Sequence, residues 1–262
     1  MEIIKNLPIV LELRKKIFEY KFSNHTNVNY FRGIFNNFSD AQASSPLTKP
    51  IGYDNQDSAN LYKEKMKKIY STDYPVLFWI KHYQANIQRV FDFGGHIGVH
   101  YYAFSKYLDF STLNNWTICD VPAVLKEAKL LAKQNEADKL RFASDISECE
   151  GHDLFLASGS LQYLEWELHD KLKELRTPPV FVIINLLPLH QNTKTITLQS
   201  IGTSFCPYYL RNEADFISGL SEIGYQLIEV WSNEEKKCNI AFEKERSLDF
   251  YRGMIFQLNK NH

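Results

Sequence analysis

The spacing of apolar positions in this chain changes near residue 80, and two kinds of element follow from the change. Before it, Leu11, Ile17 and Phe18 recur at helical intervals within Pro8–Tyr20, and Ser58–Tyr70 repeats the pattern with lysines on its other face, so two helices are expected. Between them Tyr30–Asp57 has no period and carries Gly33, Pro46, Pro50 and Gly52 among aromatic and small polar residues. A segment of that length in a compact domain reads either as a lid or binding loop, or as a packed surface connection. The expected division is residues 1–80 as a helical extension and lid, and residues 81–262 as the main domain.

Past residue 80, short β-branched or aromatic runs alternate with amphipathic stretches. Strands are expected at Gln88–Phe93, Trp116–Cys119, Leu140–Ala143, Leu154–Ala157, Val180–Leu186, Tyr225–Trp231 and Gly253–Leu258. Helices are expected at His100–Tyr107, Ala123–Asn135, Leu164–Leu175 and Glu213–Ile223, the second with Val124, Leu125, Ala128, Leu131 and Ala132 on one stripe. The alternation predicts βαβ units, and hence an α/β fold: a seven-stranded, mostly parallel sheet with helices on both faces.

Composition narrows the partners. With 44% apolar and 23% charged residues over 262 positions, the chain is expected to fold around a substantial core. Thirty basic against thirty-one acidic residues leave a net charge of -1, which gives no field to gather DNA or RNA. The longest apolar run, Val180 to Leu187, is broken by Asn185 and falls short of the ~20 residues of a membrane span. With the Met-Glu start this predicts a cytoplasmic protein. Cys119, Cys149, Cys206 and Cys238 are dispersed, without a CxxC pair or a His/Cys cluster, so neither a disulfide framework nor a metal site is expected.

The chemistry is concentrated in Val90-Phe91-Asp92-Phe93-Gly94-Gly95-His96-Ile97-Gly98, a buried strand ending in an acid and running through a glycine turn into a helix. Missing Cβ atoms let a cofactor approach the backbone, and the helix start offers free N–H groups. A dinucleotide-binding GxGxxG fits poorly, because Phe93 stands where its first glycine is needed. The methyltransferase spacing, an acid followed by glycines at intervals of two, fits at Asp92, Gly94 and Gly98, with His96 replacing the middle glycine. An acid also suits a cationic sulfonium ligand such as S-adenosylmethionine and would repel a pyrophosphate. The next strand ends at Asp120, placed to accept hydrogen bonds from both ribose hydroxyls. Asp145, after the third strand, either meets the adenine amino group or caps a helix. After the fourth strand, Ser158, Gly159 and Ser160 leave room for a ligand, and Gln162 and Tyr163 are candidates to face it.

These residues resemble a known family: S-adenosylmethionine-dependent methyltransferases found in bacterial gene clusters for surface polysaccharides such as O-antigen and capsule. The resemblance spans most of the chain. It rests on Phe31-Arg32-Gly33-Ile34-Phe35 with Phe38, Ala41 and Ala43, on Gly52-Tyr53-Asp54, and on Asp92-Phe93-Gly94-Gly95 with Gly98 and Tyr101. It rests further on Ser158-Gly159-Ser160-Leu161-Gln162-Tyr163-Leu164 and on Gln199 with Pro207-Tyr208-Tyr209. It implies a class I Rossmann-like fold over residues 81–262, adenosylmethionine as methyl donor, and a small glycan-related acceptor, a sugar or sugar nucleotide. Asp120 stands where the family more often has glutamate.

Methyl transfer from a sulfonium is an in-line displacement, so positioning and desolvation supply most of the acceleration and one base suffices for a hydroxyl acceptor. His100 is the first choice for that base, with His96 and His190 as alternatives. Tyr53, Tyr163, Tyr208 and Arg211 are expected to shape the acceptor pocket, the arginine suiting a phosphate. The competing expectation is a methyltransferase-like protein that has lost catalysis and serves as an interaction module in a polysaccharide-assembly complex.

Overall fold

A computed structural model describes residues 8–26, 29–54 and 63–259. Seven strands form the large sheet: β2 (Arg89–Phe93), β3 (Asn115–Cys119), β4 (Leu140–Ala143), β5 (Leu154–Ser158), β6 (Phe181–Leu187), β10 (Tyr225–Asn233) and β11 (Tyr251–Leu258). Their order is β10-β11-β6-β5-β2-β3-β4. Neighbours from β6 to β4 are parallel, and β11 is antiparallel to both β6 and β10. All seven expected strands are present.

Both faces of this sheet are covered, which is why its strands read as continuous apolar runs rather than as alternating ones. On one face Val90, Trp116, Ile118, Leu154, Leu156 and Ile183 meet α3 (Tyr74–His82) and α4 (Val99–Phe104). On the other Phe91, Phe155, Val182, Met254 and Phe256 meet α6 (Leu168–Lys173) and α7 (Glu213–Glu222). Truncating one of these buried rings to alanine costs about 3–5 kcal/mol. Helix α5 (Pro122–Gln134) starts with proline at its first turn and buries Val124, Leu125, Ala128 and Ala132. The expected helices after the glycine turn and before β6 are shorter than their periodicity suggested, at six residues each.

A second sheet was not foreseen. Its order is β1 (Tyr30–Phe35), β8 (Thr195–Ser200), β9 (Phe205–Asn212), β7 (Leu189–His190). Strand β1 and α2 (Phe38–Ala43) lie inside the segment read as irregular. The partners of β1 sit far along the chain, Arg32 opposite Leu198, so no local pattern announces the strand. Helix α1 (Pro8–Asn24) docks on this sheet through Phe22, whose ring stacks on Phe205 at 5.2 Å. The expected helix Ser58–Tyr70 lies partly outside the described residues, and Lys63–Lys67 form a 3₁₀ turn. Among the described residues no helix is long and apolar enough to cross a membrane.

Candidate functional site

Strands β3 and β4 lie on one side of β2, and β5 and β6 on the other, so the order of the parallel sheet reverses between β2 and β5. Open α/β sheets form their ligand crevice at the carboxyl ends of such a pair. Two loops meet at that place here, residues 94–98 after β2 and residues 159–164 after β5. Gly94, His96 and Gly98 all take left-handed backbone, at φ of +71°, +56° and +91°. A Cβ on Gly94 would stand 2.3 Å from the Ser160 Cβ, and Ser160 Oγ donates to the Phe93 carbonyl at 2.8 Å. The two loops are therefore fastened together, and Gly94 serves that approach. A Cβ on Gly95 would lie 2.6 Å from the Asp92 carboxylate carbon.

Asp92 is fully buried beneath this turn. Its Oδ2 accepts a hydrogen bond from Trp116 Nε1 at 3.0 Å and faces His100 Nδ1 at 3.5 Å. The other nitrogen of His100 lies 4.0 Å from Asp73 Oδ1. Burial works against charge on the imidazole, but the two carboxylates, Asp92 foremost, outweigh it and raise the pKa above its usual value. Asp73 is presented by a turn in which its Oδ2 accepts from Tyr70 N, just before α3. The acid read as meeting a cationic ligand thus points inward, because Trp116 and His100 claim it.

Asp120, at the tip of β3, reaches the turn: its Oδ2 accepts from His96 N and its Oδ1 from Val121 N, each at 2.8 Å. Burial pushes its carboxyl up to about 6, with help from Asp92 and Asp54 and against the two backbone N–H groups. Asp145 is exposed and caps a 3₁₀ turn, accepting from Ser147 N at 2.8 Å while Glu148 reaches back to its own N–H. Of its two readings, capping is the one with contacts to support it. Hydrogen bonds from the Ser147 hydroxyl and from its N–H hold the Asp145 carboxyl below the usual range.

Arg211 does not offer itself to a ligand. It is 2% exposed and donates to Glu167 at 2.8 Å and to the carbonyls of Leu161, Leu164 and Trp166 at 2.7–2.9 Å. Its fork is spent on fixing the 161–167 loop. His190 is likewise committed: one ring nitrogen accepts from Asn192 N and Thr193 N, and the other meets the Glu245 carbonyl at 3.0 Å. Tyr208 bonds Tyr251 through its buried hydroxyl. Tyr163 packs against Tyr208 and Tyr53, and its hydroxyl donates to Gln199 at 3.0 Å.

The segment Gly52-Tyr53-Asp54 bridges the two sheets over the glycine turn. Gly52 N donates to the Phe205 carbonyl, Tyr53 stands edge-on to His96, and Asp54 accepts from Ala123 N at 2.9 Å. Gly159, at φ +75°, leads from β5 into the second loop. Beside it, Asn185 at the end of β6 uses its whole amide: Oδ1 accepts from Trp231 and Asn233, and Nδ2 donates to the Thr72 carbonyl and to Ser158 Oγ. Asn185 and Asp73 were not foreseen as site residues. The signal for Asn185 was present, as the one amide inside the Val180–Leu187 apolar run.

No protein-family model matches the chain, and no curated protein matches its sequence. Its fold does match solved structures. One is described as an S-adenosylmethionine-dependent methyltransferase from Listeria monocytogenes, with a TM-score of 0.50 and 13% identity, over 72% of this chain and 99% of that one. Another is the 1,6-didemethyltoxoflavin-N1-methyltransferase of Burkholderia thailandensis, solved with 1,6-didemethyltoxoflavin and S-adenosylhomocysteine. It has a TM-score of 0.50 and 14% identity, over 78% of this chain and 83% of that one. At these identities the likeness is one of fold: the chain has the class I methyltransferase architecture.

Proposed function

We propose that the protein is an S-adenosylmethionine-dependent methyltransferase. The observation that carries this reading is the junction of Asp120 with the glycine turn, where the acid at the tip of β3 binds His96 N at the sheet's switch point. A sulfonium nucleoside needs a close-approach turn and an acid within reach of its ribose, and both stand together here. Gly94, Gly95 and Gly98 shape the turn, Asp92 braces it from below, and Ser158 and Gly159 open the second wall. Asp145 stands in reserve for the adenine edge. When bound, adenosylmethionine supplies a methyl group activated by positive sulfur.

The residues of this chain position the acceptor and exclude water. Residues 1–80 act as an extension whose Gly52-Tyr53-Asp54 strap covers the crevice, with Tyr53 and Tyr163 on its acceptor side and Tyr208, committed to Tyr251, packed behind Tyr163. His100 is engaged beneath the turn by two carboxylates, which raise its pKa against the effect of burial, so His96, in the turn itself, is our choice of base for a hydroxyl acceptor. The acceptor is a sugar or sugar nucleotide of bacterial surface-polysaccharide assembly, transfer is to oxygen, and the location is cytoplasmic. The sequence resemblance supports the acceptor class, a hydroxyl-rich acceptor supports transfer to oxygen, and the four free cysteines fit a reducing compartment.

Calorimetry with S-adenosylhomocysteine tests the reading. Asp120→Ala is expected to weaken binding by about 1–3 kcal/mol, the worth of its charge-assisted hydrogen bonds. An unchanged dissociation constant refutes the ribose role. Methyl transfer to a panel of nucleotide sugars tests the acceptor. The competing reading, a non-catalytic interaction module, draws on the exposed stripe Ile9, Leu13, Ile17 and Tyr20 of α1. Cofactor binding without transfer to any acceptor would favour it.

A further inference from the structure

A surface helix needs one apolar stripe, the one it lays on its own domain. Helix α1 carries two. Its docked side is Phe22, fully buried and stacked on Phe205, with Phe18 against Phe22 and Tyr30 at 6.0 and 5.9 Å. Ile9, Leu13, Ile17 and Tyr20 form the second stripe and are 85, 58, 48 and 68% exposed. At about 3.6 residues per turn these four fall within an arc of about 80°, and Phe18 and Phe22 stand about 140° and 180° from its middle. Docking on the small sheet therefore leaves the second stripe facing outward. Thr48 Oγ1 donates to the Ser23 carbonyl at 2.6 Å, which sets the fully exposed Leu47 beside the last turn of the same helix.

The charges around the stripe select its occupant. Helix α1 holds Arg14, Lys15, Lys16 and Lys21 against Glu12 and Glu19. Both acids are engaged within the protein, Glu12 by Lys15 at 3.2 Å and Glu19 by Arg32 at 2.9 Å. Lys16 and Lys21 are exposed, border the stripe on opposite sides about 60° and 80° from its middle, and have no acidic partner among the described residues. An apolar strip between cations suits a helix lying in the interface of an anionic bilayer, where the side chains enter the acyl boundary and the lysines meet phosphate. A second copy of the chain fits less well. The stripe runs about 16 Å along the helix, far short of the roughly 20–30 residues a side of a stable protein interface, and pairing would bring two helices of net positive charge together.

We infer that the outer face of α1 docks the protein on an anionic lipid surface, with Ile9, Leu13, Ile17 and Tyr20 entering the interface and Lys16 and Lys21 meeting headgroup phosphates. The inference stands on this helix and not on the proposed reaction. The full chain is sedimented with vesicles of phosphatidylglycerol and phosphatidylcholine in equal parts, and with vesicles of phosphatidylcholine alone. The wild type binds the anionic vesicles at least about tenfold more tightly, and raising the salt to about 0.5 M erodes that difference. Leu13→Gln with Ile17→Gln weakens binding to the anionic vesicles by at least about tenfold, because two side chains no longer leave water. Its melting midpoint without vesicles stays within about 2 °C of the wild type, as both positions are exposed. Lys16→Gln with Lys21→Gln weakens binding to the anionic vesicles by roughly 10–30-fold and leaves little preference between the two compositions.

A wild type that ignores anionic vesicles, equal binding to both compositions, or undiminished binding by the Leu13 and Ile17 variant overturns the inference. So does a concentration-dependent dimer in vesicle-free sedimentation that the same variant abolishes, since a second copy of the chain is then the occupant.

Discussion

Gly94→Ala probes the fastening of the two crevice loops without any ligand. Two costs combine. At φ +71° an alanine sits in left-handed backbone, which costs about 1 kcal/mol. Its Cβ would stand 2.3 Å from Ser160 Cβ and 2.8 Å from Ser160 Oγ, and relieving such overpacking costs about 1–3 kcal/mol more. Ser160 cannot simply swing aside, because its hydroxyl holds the Phe93 carbonyl at 2.8 Å. The expected total is about 2–4 kcal/mol. Ser160→Gly alone loses that hydrogen bond and gains backbone entropy, about 1.5–2 kcal/mol. In the double variant the collision is gone, so it should be more stable than the sum of the singles by about 1–3 kcal/mol. Urea unfolding followed by circular dichroism, with slopes checked for constancy, measures all three. Additivity within about 0.5 kcal/mol would show that the loops do not touch and would refute the argument.

Two further outcomes follow from the buried charges. His100 has a raised pKa in the fold, so the stability it adds is complete below its unfolded value of 6.5 and is lost as pH rises through the folded value. The stability gap between wild type and His100→Gln should therefore be widest near pH 6 and narrow toward pH 9; a gap that is flat or grows contradicts the placement between Asp92 and Asp73. Arg211→Met strips four donors from the 161–167 loop and leaves Glu167 with only the Tyr209 hydroxyl, which is expected to cost about 3–5 kcal/mol. Amide exchange should rise across residues 161–167 first, and uniform exchange across the chain speaks against a local clamp.

The large sheet was legible because each of its parallel strands is a short apolar run flanked by helical periodicity, and the turn at Asp92–Gly98 was legible because its left-handed positions at 94 and 98 favour glycine. The small sheet was not. Strand β1 gains its hydrogen bonds from β8, more than 150 residues away, and Arg32 and Gly33 interrupt any alternation that might betray it. Helix α3 went unassigned because Tyr74–His82 is apolar on most sides, which periodicity alone does not distinguish from a strand. For the candidate site, spacing singled out Asp120 as an acid beside the glycine turn but not the employment of Asp92 or Arg211. A sequence shows that a charge is present, whereas only packing shows which partners have already claimed it.

That distinction bears on how the N-terminal segment reaches the crevice. His100 on α4 is where three parts of the chain meet: Asp92 from the turn strand, Asp73 from the segment before α3, and the helix that begins at Gly98. Thr72, next to Asp73, is held in turn by Asn185 at the tip of β6, and Asn185 holds Ser158 at the tip of β5. Displacing residues 70–73 would leave the His100 ring with a single buried carboxylate and one amide without its acceptor. A buried amide donor left without its acceptor costs about 1–3 kcal/mol, and the imidazole loses one of the two carboxylates that raise its pKa. Residues 72 and 73 are thus tied to both loops through Asn185 and His100, so a change in residues 70–73 should be felt at the glycine turn even though neither residue 72 nor residue 73 belongs to it.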